Sequence, residues 1–165
     1  MDDNARTAAA ADSKIERYAR LATEIDAVLE GERNRVARLA TVAAMLAADF
    51  AAFSWTGFYL VDPEKPDELV VGPYQGTLGC LRIAPGRGVC GAAAARRETL
   101  IVPDVEAFEG HIACDPRIRS EVVVPVFDTD GAMLGVLDVD STQVTAFDAD
   151  DARGLEEILR RVFAS

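Results

Sequence analysis

Apolar and polar residues follow a helical period at both ends of this chain and form strand-like runs between them. Apolar residues recur every three or four positions from residue 13 to residue 31 and again from about residue 32 to residue 49, which predicts two amphipathic helices. Ser13 and Glu16 match a capping box at the start of the first helix. Acidic residues between positions 148 and 151 suit the N-terminus of a third amphipathic helix. The apolar positions of the three helices are Ile15, Tyr18, Leu21, Ile25, Val28, Leu29, Val36, Leu39, Val42, Met45, Leu46, Leu155, Ile158, Leu159 and Val162.

Short runs of branched and aromatic residues in the middle of the chain are typical of strands. The sequence from Asp128 to Gly131 is a turn signal between the last two runs. A short alanine-rich helix is predicted from Ala92 to Arg97. Runs of strands with helices gathered at the ends predict an α+β domain with a central antiparallel sheet. The predicted strands cover residues 53–61, 69–73, 100–102, 122–127 and 133–139.

Composition narrows the class of protein. The 165 residues are half apolar, which suits one compact domain with its own core, while the polar, alanine-rich residues 1–12 are predicted to be a disordered tail. No segment approaches the roughly 20 apolar residues of a membrane helix, and the acidic N-terminus differs from a secretory signal, so we predict a cytoplasmic protein. A net charge of -11 argues against nucleic acid and anionic membranes as partners.

Cys80, Cys90 and Cys114 are the three cysteines of the chain, and all lie within 35 residues. In a reducing compartment an odd number of cysteines favours thiols, with any disulfide transient and functional. An isolated cysteine is most often an inert buried side chain, but this clustering favours redox chemistry. Because Cys90 lies at the start of the predicted alanine-rich helix, the helix dipole could lower its pKa and make it a nucleophile or an alternative resolving thiol. Spacing alone does not rank Cys90 against Cys114 as a nucleophile.

Three carboxylic residues fall on neighbouring strands. Asp138 and Asp140 are two positions apart and therefore point to the same face of a strand, and Glu121 directly precedes the apolar run of another. Their convergence would make an acidic pocket, in which repulsion raises the pKa of at least one carboxyl while an ionised neighbour binds an ammonium group. The alternative is that the two aspartates merely end a strand and solvate a turn.

Trp55 and Tyr59 are four positions apart on a predicted strand and so share one face, either as a pocket wall or as core packing. His111, the only histidine, precedes Cys114 by three positions; it could polarise a thiolate, but a loop-capping role is the favoured interpretation. One histidine without a Cys-x-x-Cys pair gives a zinc site little support. The glycine pattern at 86–91 lacks the strand-turn-helix setting of a nucleotide site. We therefore predict no bound metal or cofactor.

Five motifs occur in order across residues 50–160 and together carry a family resemblance. They resemble the free methionine-(R)-sulfoxide reductases, which are single-domain GAF proteins. The resemblance implies one GAF domain over residues 13–165, with N- and C-terminal helices on one face of the sheet and a loop-rich ligand pocket on the other. One departure is the bulky segment 115–119, where the family more often has small residues. The motifs are WTGFY at 55–59, GRGVCG at 86–91, GHIACD at 110–115, RSEVVVP at 119–125 and GVLDVDS at 135–141.

The resemblance also implies a reaction, a reductant and an assembly. It implies that Cys114 attacks the sulfur of free L-methionine (R)-sulfoxide, that Cys80 resolves the product as a disulfide, and that thioredoxin or another external dithiol reduces it. It implies Trp55 and Tyr59 as walls of the substrate pocket, and a homodimer. Two alternatives remain: a sensory GAF domain that binds a small ligand without catalysis, and a structural module that dimerises through its N-terminal helices.

Overall fold

The computed structural model describes residues 12–112 and 114–164. The tail predicted at residues 1–12 lies, except for its last residue, outside the described residues. Within them, six antiparallel strands form one sheet in the order β3-β2-β1-β6-β5-β4, which confirms the predicted α+β class. The strands are β1 Trp55–Asp62, β2 Lys65–Gln75, β3 Arg82–Ile83, β4 Leu100–Val102, β5 Ser120–Phe127 and β6 Met133–Ser141, and the α-helices are α1 Lys14–Val28, α2 Arg35–Asp49, α3 Gly88–Arg96 and α4 Ala149–Phe163.

Helices α1, α2 and α4 cover one face of the sheet and enclose the larger core. Tyr18 of α1 is buried against α4, and an added Cβ at Gly154 would overlap its ring, so the two helices touch where a glycine allows close approach. The Tyr18 hydroxyl donates a hydrogen bond of 2.9 Å to Asp151 Oδ1. Three residues of the predicted apolar stripes are exposed: Ile15 and Val28, near the two ends of α1, and Val36, near the start of α2.

Side-chain caps fix the helix boundaries. Ser13 and Glu16 form the predicted capping box at α1, and Asp148 and Asp151 form a second one at α4. Helix α2 begins later than predicted, because the Asn34 side chain caps it by accepting a hydrogen bond from the Ala37 amide. Helix α3 begins at Gly88 instead of Ala92, which places Cys90 inside its first turn.

The second face of the sheet carries a smaller core, built from β1, β2, β5 and β6 with α3 and loops packed over it. Sequence patterns did not predict β3 or the 3-10 turn Val105–Ala107, since each is only two or three residues long. No helix among the described residues has the length and apolar content needed to cross a membrane.

Candidate active site

The register of the sheet brings the predicted acidic residues together. Asp140 of β6 pairs with Trp55 of β1 on one side and with Glu121 of β5 on the other, so these three residues form one row across the sheet. Asp138 lies two positions back along β6 and faces the same side. The sequence had indicated that Glu121 precedes its strand, but in the structure Glu121 lies within β5. Three carboxyl groups therefore converge on the face away from α1, α2 and α4.

A cavity of about 50 Å³ lies over these carboxyl groups. The sheet forms its floor, the first turn of α3 forms one wall, and residues from two loops, at 76–81 and at 110–112 with 114–118, form the rest. Seven of the eight residues that the sequence selected as candidate site residues line this cavity, together with His111 and Arg87, and the eighth, Cys80, is bonded to one of them. The seven are Trp55, Tyr59, Cys90, Cys114, Glu121, Asp138 and Asp140.

A disulfide joins Cys80 and Cys114, which are 34 positions apart in sequence and have a Cα–Cα distance of 5.6 Å. It links the two loops at the cavity. Cys114 is exposed and Cys80 is half-buried, whereas Cys90 is a buried free thiol. The disulfide is therefore open to a reductant from solvent, and Cys90 is not.

The pKa of Cys90 is not lowered, although the sequence suggested that the N-terminus of a helix could lower it. Its Sγ lies 4.0 Å from Glu121 Oε1. Burial, followed by the charges of Asp138, Glu121 and Asp140, raises the pKa of Cys90 well above the usual value of a thiol. These effects outweigh the partial positive charge at the start of α3, so Cys90 stays protonated at neutral pH.

Burial also raises the pKa of all three carboxyl groups. For Glu121 the pKa rises because of burial and then because of Asp138 and Asp140. The pKa of Asp138 rises by burial, and the pKa of Asp140 rises by burial and by the charges of Asp138 and Asp115. Asp138 Oδ1 is buried without a hydrogen-bond partner among the described residues. The site can therefore hold a proton near neutral pH and offers a vacant acceptor to a cation.

The pKa of Glu121 leads to a testable pH dependence of stability. Because its pKa is raised in the folded state, the wild-type free energy of unfolding includes a contribution that is full below about pH 4 and is lost as pH rises through the folded pKa. Gln cannot ionise, so the stability of Glu121→Gln relative to wild type should increase from pH 4 to pH 8, by about 1.4 kcal/mol for each unit of raised pKa.

Urea unfolding of the oxidised proteins at pH 4, 6 and 8 measures this difference. Glu98→Gln, at an exposed position, is the matched control. A stability difference between Glu121→Gln and wild type that is the same at all three pH values would contradict the prediction.

The side chain of His111 lies at the cavity, whereas its sequence had favoured a role in capping a loop. Its Nε2 lies 3.7 Å from Glu121 Oε2, and the ring forms part of the cavity wall. Burial lowers the pKa of His111, so the ring is neutral at pH 7. The neutral ring therefore forms no ion pair with Glu121, and at 3.7 Å it lies beyond hydrogen-bond distance of that carboxyl group.

Trp55 and Tyr59 stack with their ring centroids 5.6 Å apart and line the cavity. Both rings are buried, and loop 76–81 satisfies their polar atoms: Trp55 Nε1 donates to the Thr77 carbonyl at 3.0 Å, and the Tyr59 hydroxyl accepts from the Cys80 amide. The two rings thus serve as cavity wall and as the support on which the Cys80 loop rests.

Arg87 was not selected by sequence patterns, because an arginine between two glycines is ordinary in a loop. In the structure it is the N-cap residue of α3, its side chain makes no hydrogen bond to the helix end, and it lines the cavity. The site therefore has a cationic side chain at one wall and carboxyl groups at its floor. This polarity matches a zwitterion.

The described residues include one group with the chemistry of metal ligands: Cys90, Glu121 and Asp138, which offer atoms within 4.8 Å of one another. A metal would have to displace the protons that burial holds on the thiol and carboxyl groups.

Comparison with known proteins identifies the family. A family model of the GAF domain matches residues 35–164. The free methionine-R-sulfoxide reductase of Escherichia coli (strain K12) is 41% identical over 150 residues, which cover 91% of this chain and 88% of that protein. The chain belongs to the free methionine-R-sulfoxide reductase family.

Two further proteins are similar to this chain over most of its length. The X-ray structure of the free methionine-R-sulfoxide reductase from Neisseria meningitidis, in complex with its substrate, is 46% identical with a TM-score of 0.87, covering 92% of this chain and 89% of that chain. GAF domain-containing protein A of Dictyostelium discoideum is 50% identical over 148 residues, covering 90% of this chain and 91% of that protein. The resemblance drawn from the five motifs and the expected GAF fold are confirmed.

Proposed function

We propose that the protein reduces free L-methionine (R)-sulfoxide to methionine, with Cys114 as the nucleophile and Cys80 as the resolving thiol. The observation that carries the proposal is the Cys80–Cys114 disulfide beside a cavity with a buried carboxyl floor. The names of the relatives support the reaction and its epimer, since the Escherichia coli and Neisseria meningitidis proteins are free methionine-R-sulfoxide reductases.

The reaction starts from the reduced protein. The Cys114 thiolate attacks the sulfoxide sulfur and forms a bond to it, while a carboxyl group of the floor and solvent protonate the sulfoxide oxygen, so that the S–O bond breaks and the oxygen leaves as water. Water then attacks the Cys114 sulfur and loses a proton, the bond between Cys114 and the substrate sulfur breaks, methionine leaves, and Cys114 is left as a sulfenic acid. The Cys80 thiolate then attacks Cys114 sulfur, releases water and forms the disulfide. An external dithiol such as thioredoxin supplies two electrons and two protons and restores both thiols.

The polarity of the cavity supports a free amino acid as the substrate. The α-ammonium group would lie over the carboxyl floor, with the vacant Asp138 Oδ1 as an acceptor, and the α-carboxylate would face Arg87. Trp55 and Tyr59 would contact the methyl-sulfinyl end. A methionine sulfoxide within a peptide has no ammonium group to compensate for desolvation of the carboxylates, so the site should reject it.

Chiral analysis of a turnover reaction tests the proposal. The reduced protein is incubated with racemic free L-methionine sulfoxide and dithiothreitol, and methionine and both remaining epimers are quantified. We expect methionine to form at the expense of the R epimer alone. Protein alkylated with iodoacetamide before the assay is the control and should form none. Absence of turnover by the fully reduced protein would overturn the proposal and favour a ligand-binding GAF sensor.

A further inference from the structure

Two leucines beside the disulfide are displayed to solvent. Of the large apolar side chains exposed in the described part of the chain, Leu78 and Leu81 have the highest exposed fractions, 76% and 70%. They flank Cys80 in the loop between β2 and β3. Single exposed leucines are common on protein surfaces, but two of them around a redox-active disulfide form an apolar border at the point where a reductant must approach.

Backbone contacts hold the loop that carries the two leucines. The Val71 amide donates a hydrogen bond of 3.0 Å to the Leu81 carbonyl, and Trp55 Nε1 donates to the Thr77 carbonyl at 3.0 Å. Gly79 rests on the Trp55 ring so closely that an added Cβ would lie 3.0 Å from Trp55 Cζ2. These contacts fix the backbone of the loop. A partner that binds the two leucines therefore has little cost for ordering the loop.

We propose that Leu78 and Leu81 form the docking surface for a dithiol protein of the thioredoxin class that reduces the Cys80–Cys114 disulfide. The proposal rests on the proposed function, because a reductase must have its disulfide reduced in every cycle. The expected partner has an exposed cysteine pair bordered by apolar residues, since only that chemistry matches both the exposed disulfide and the leucines around it.

Docking would set the geometry of a two-step exchange. A thiolate of the partner attacks one sulfur of the disulfide, forming a mixed disulfide and releasing the other cysteine as a thiolate, which takes up a proton. The second thiol of the partner then attacks the mixed disulfide and releases the remaining cysteine. The protein gains two electrons and two protons, and the partner becomes a disulfide. A small dithiol reduces the disulfide by the same steps, but its rate of reduction does not depend on contacts with the leucines.

The test compares two reductants on the oxidised protein in the absence of methionine sulfoxide, because Leu78 also borders the cavity. Stopped-flow fluorescence gives the second-order rate constant of reduction by thioredoxin and by dithiothreitol. In Leu81→Ser and in the double variant Leu78→Ser/Leu81→Ser, we expect the rate constant with thioredoxin to fall, by about tenfold or more in the double variant. The rate constant with dithiothreitol should stay within about twofold of the wild-type value in both variants.

Val28→Ser/Val36→Ser removes two exposed valines from α1 and α2 and is the matched control, with both rate constants expected to be unchanged. The proposal is overturned if the leucine variants slow both reductants equally, or slow neither. A change of oligomeric state in the leucine variants would overturn it as well, by assigning the leucines to a contact between copies of the chain. Wild-type protein that thioredoxin reduces no faster than dithiothreitol would overturn the docking surface, while turnover with dithiothreitol would leave the proposed function intact.

Discussion

Cys114→Ser is expected to abolish methionine formation, with a loss of about a thousandfold or more in turnover, because serine cannot supply a thiolate to attack sulfur. Cys80→Ser should behave differently, since the attack on the sulfoxide precedes the step that uses Cys80. In a single-turnover experiment with prereduced protein and no added dithiol, wild type and Cys80→Ser should each form one methionine per chain. Cys114→Ser should form none.

The same experiment separates Cys114 from Cys90. Burial and neighbouring carboxyl groups raise the pKa of Cys90, so it should remain a thiol and Cys90→Ser should retain the single turnover. Trapping the sulfenic acid of Cys80→Ser with dimedone and locating the adduct by mass spectrometry identifies the attacking sulfur. If Cys90→Ser lost the turnover while Cys114→Ser kept it, the nucleophile would be Cys90 and the assigned roles would be wrong.

Features of the site that depend on local sequence could be predicted before the fold was known. Asp138 and Asp140 share a face because side chains alternate along a strand, and the same rule places Trp55 and Tyr59 together. The helix caps at Ser13 and Asp148 depend only on residues three positions away. Such patterns need no knowledge of distant partners.

Features that depend on distant contacts could not be predicted in this way. The pKa of Cys90 depends on carboxyl groups from β5 and β6, which lie more than thirty positions away in sequence, so a rule about helix ends gave the wrong direction. His111 meets Glu121, and Arg87 reaches the cavity, only because loops fold back over the sheet. No sequence pattern indicates that Leu78 and Leu81 are exposed, because the path of their loop depends on a contact with Trp55, 22 positions before Thr77.

Asp138→Asn is expected to weaken recognition of the free amino acid. Asp138 is buried, and its Oδ1 has no hydrogen-bond partner among the described residues, so the α-ammonium group of a substrate would satisfy it. Loss of one partner of a buried charge pair typically costs about 2–5 kcal/mol, which corresponds to roughly 30-fold to several thousandfold in kcat/KM. The loss should fall mainly on KM, because the ammonium group is bound before the sulfoxide reacts.

Measurement with two substrates distinguishes recognition from folding or chemistry. N-acetyl-methionine (R)-sulfoxide has no ammonium group, so the wild-type protein should reduce it with a low kcat/KM. Asp138→Asn should reduce this substrate with the same low kcat/KM. The ratio of kcat/KM between the free and the acetylated substrate should therefore be smaller in Asp138→Asn than in wild type. Asp130→Asn, in the exposed turn between β5 and β6, is the matched control and should keep both the rate and the preference. Equal losses of kcat/KM for both substrates in Asp138→Asn would instead place Asp138 in the chemical step or in the stability of the cavity. In that case the selection of free methionine sulfoxide would have to come from other ionisable residues at the cavity, which include Asp115, Glu121, Asp140 and Arg87.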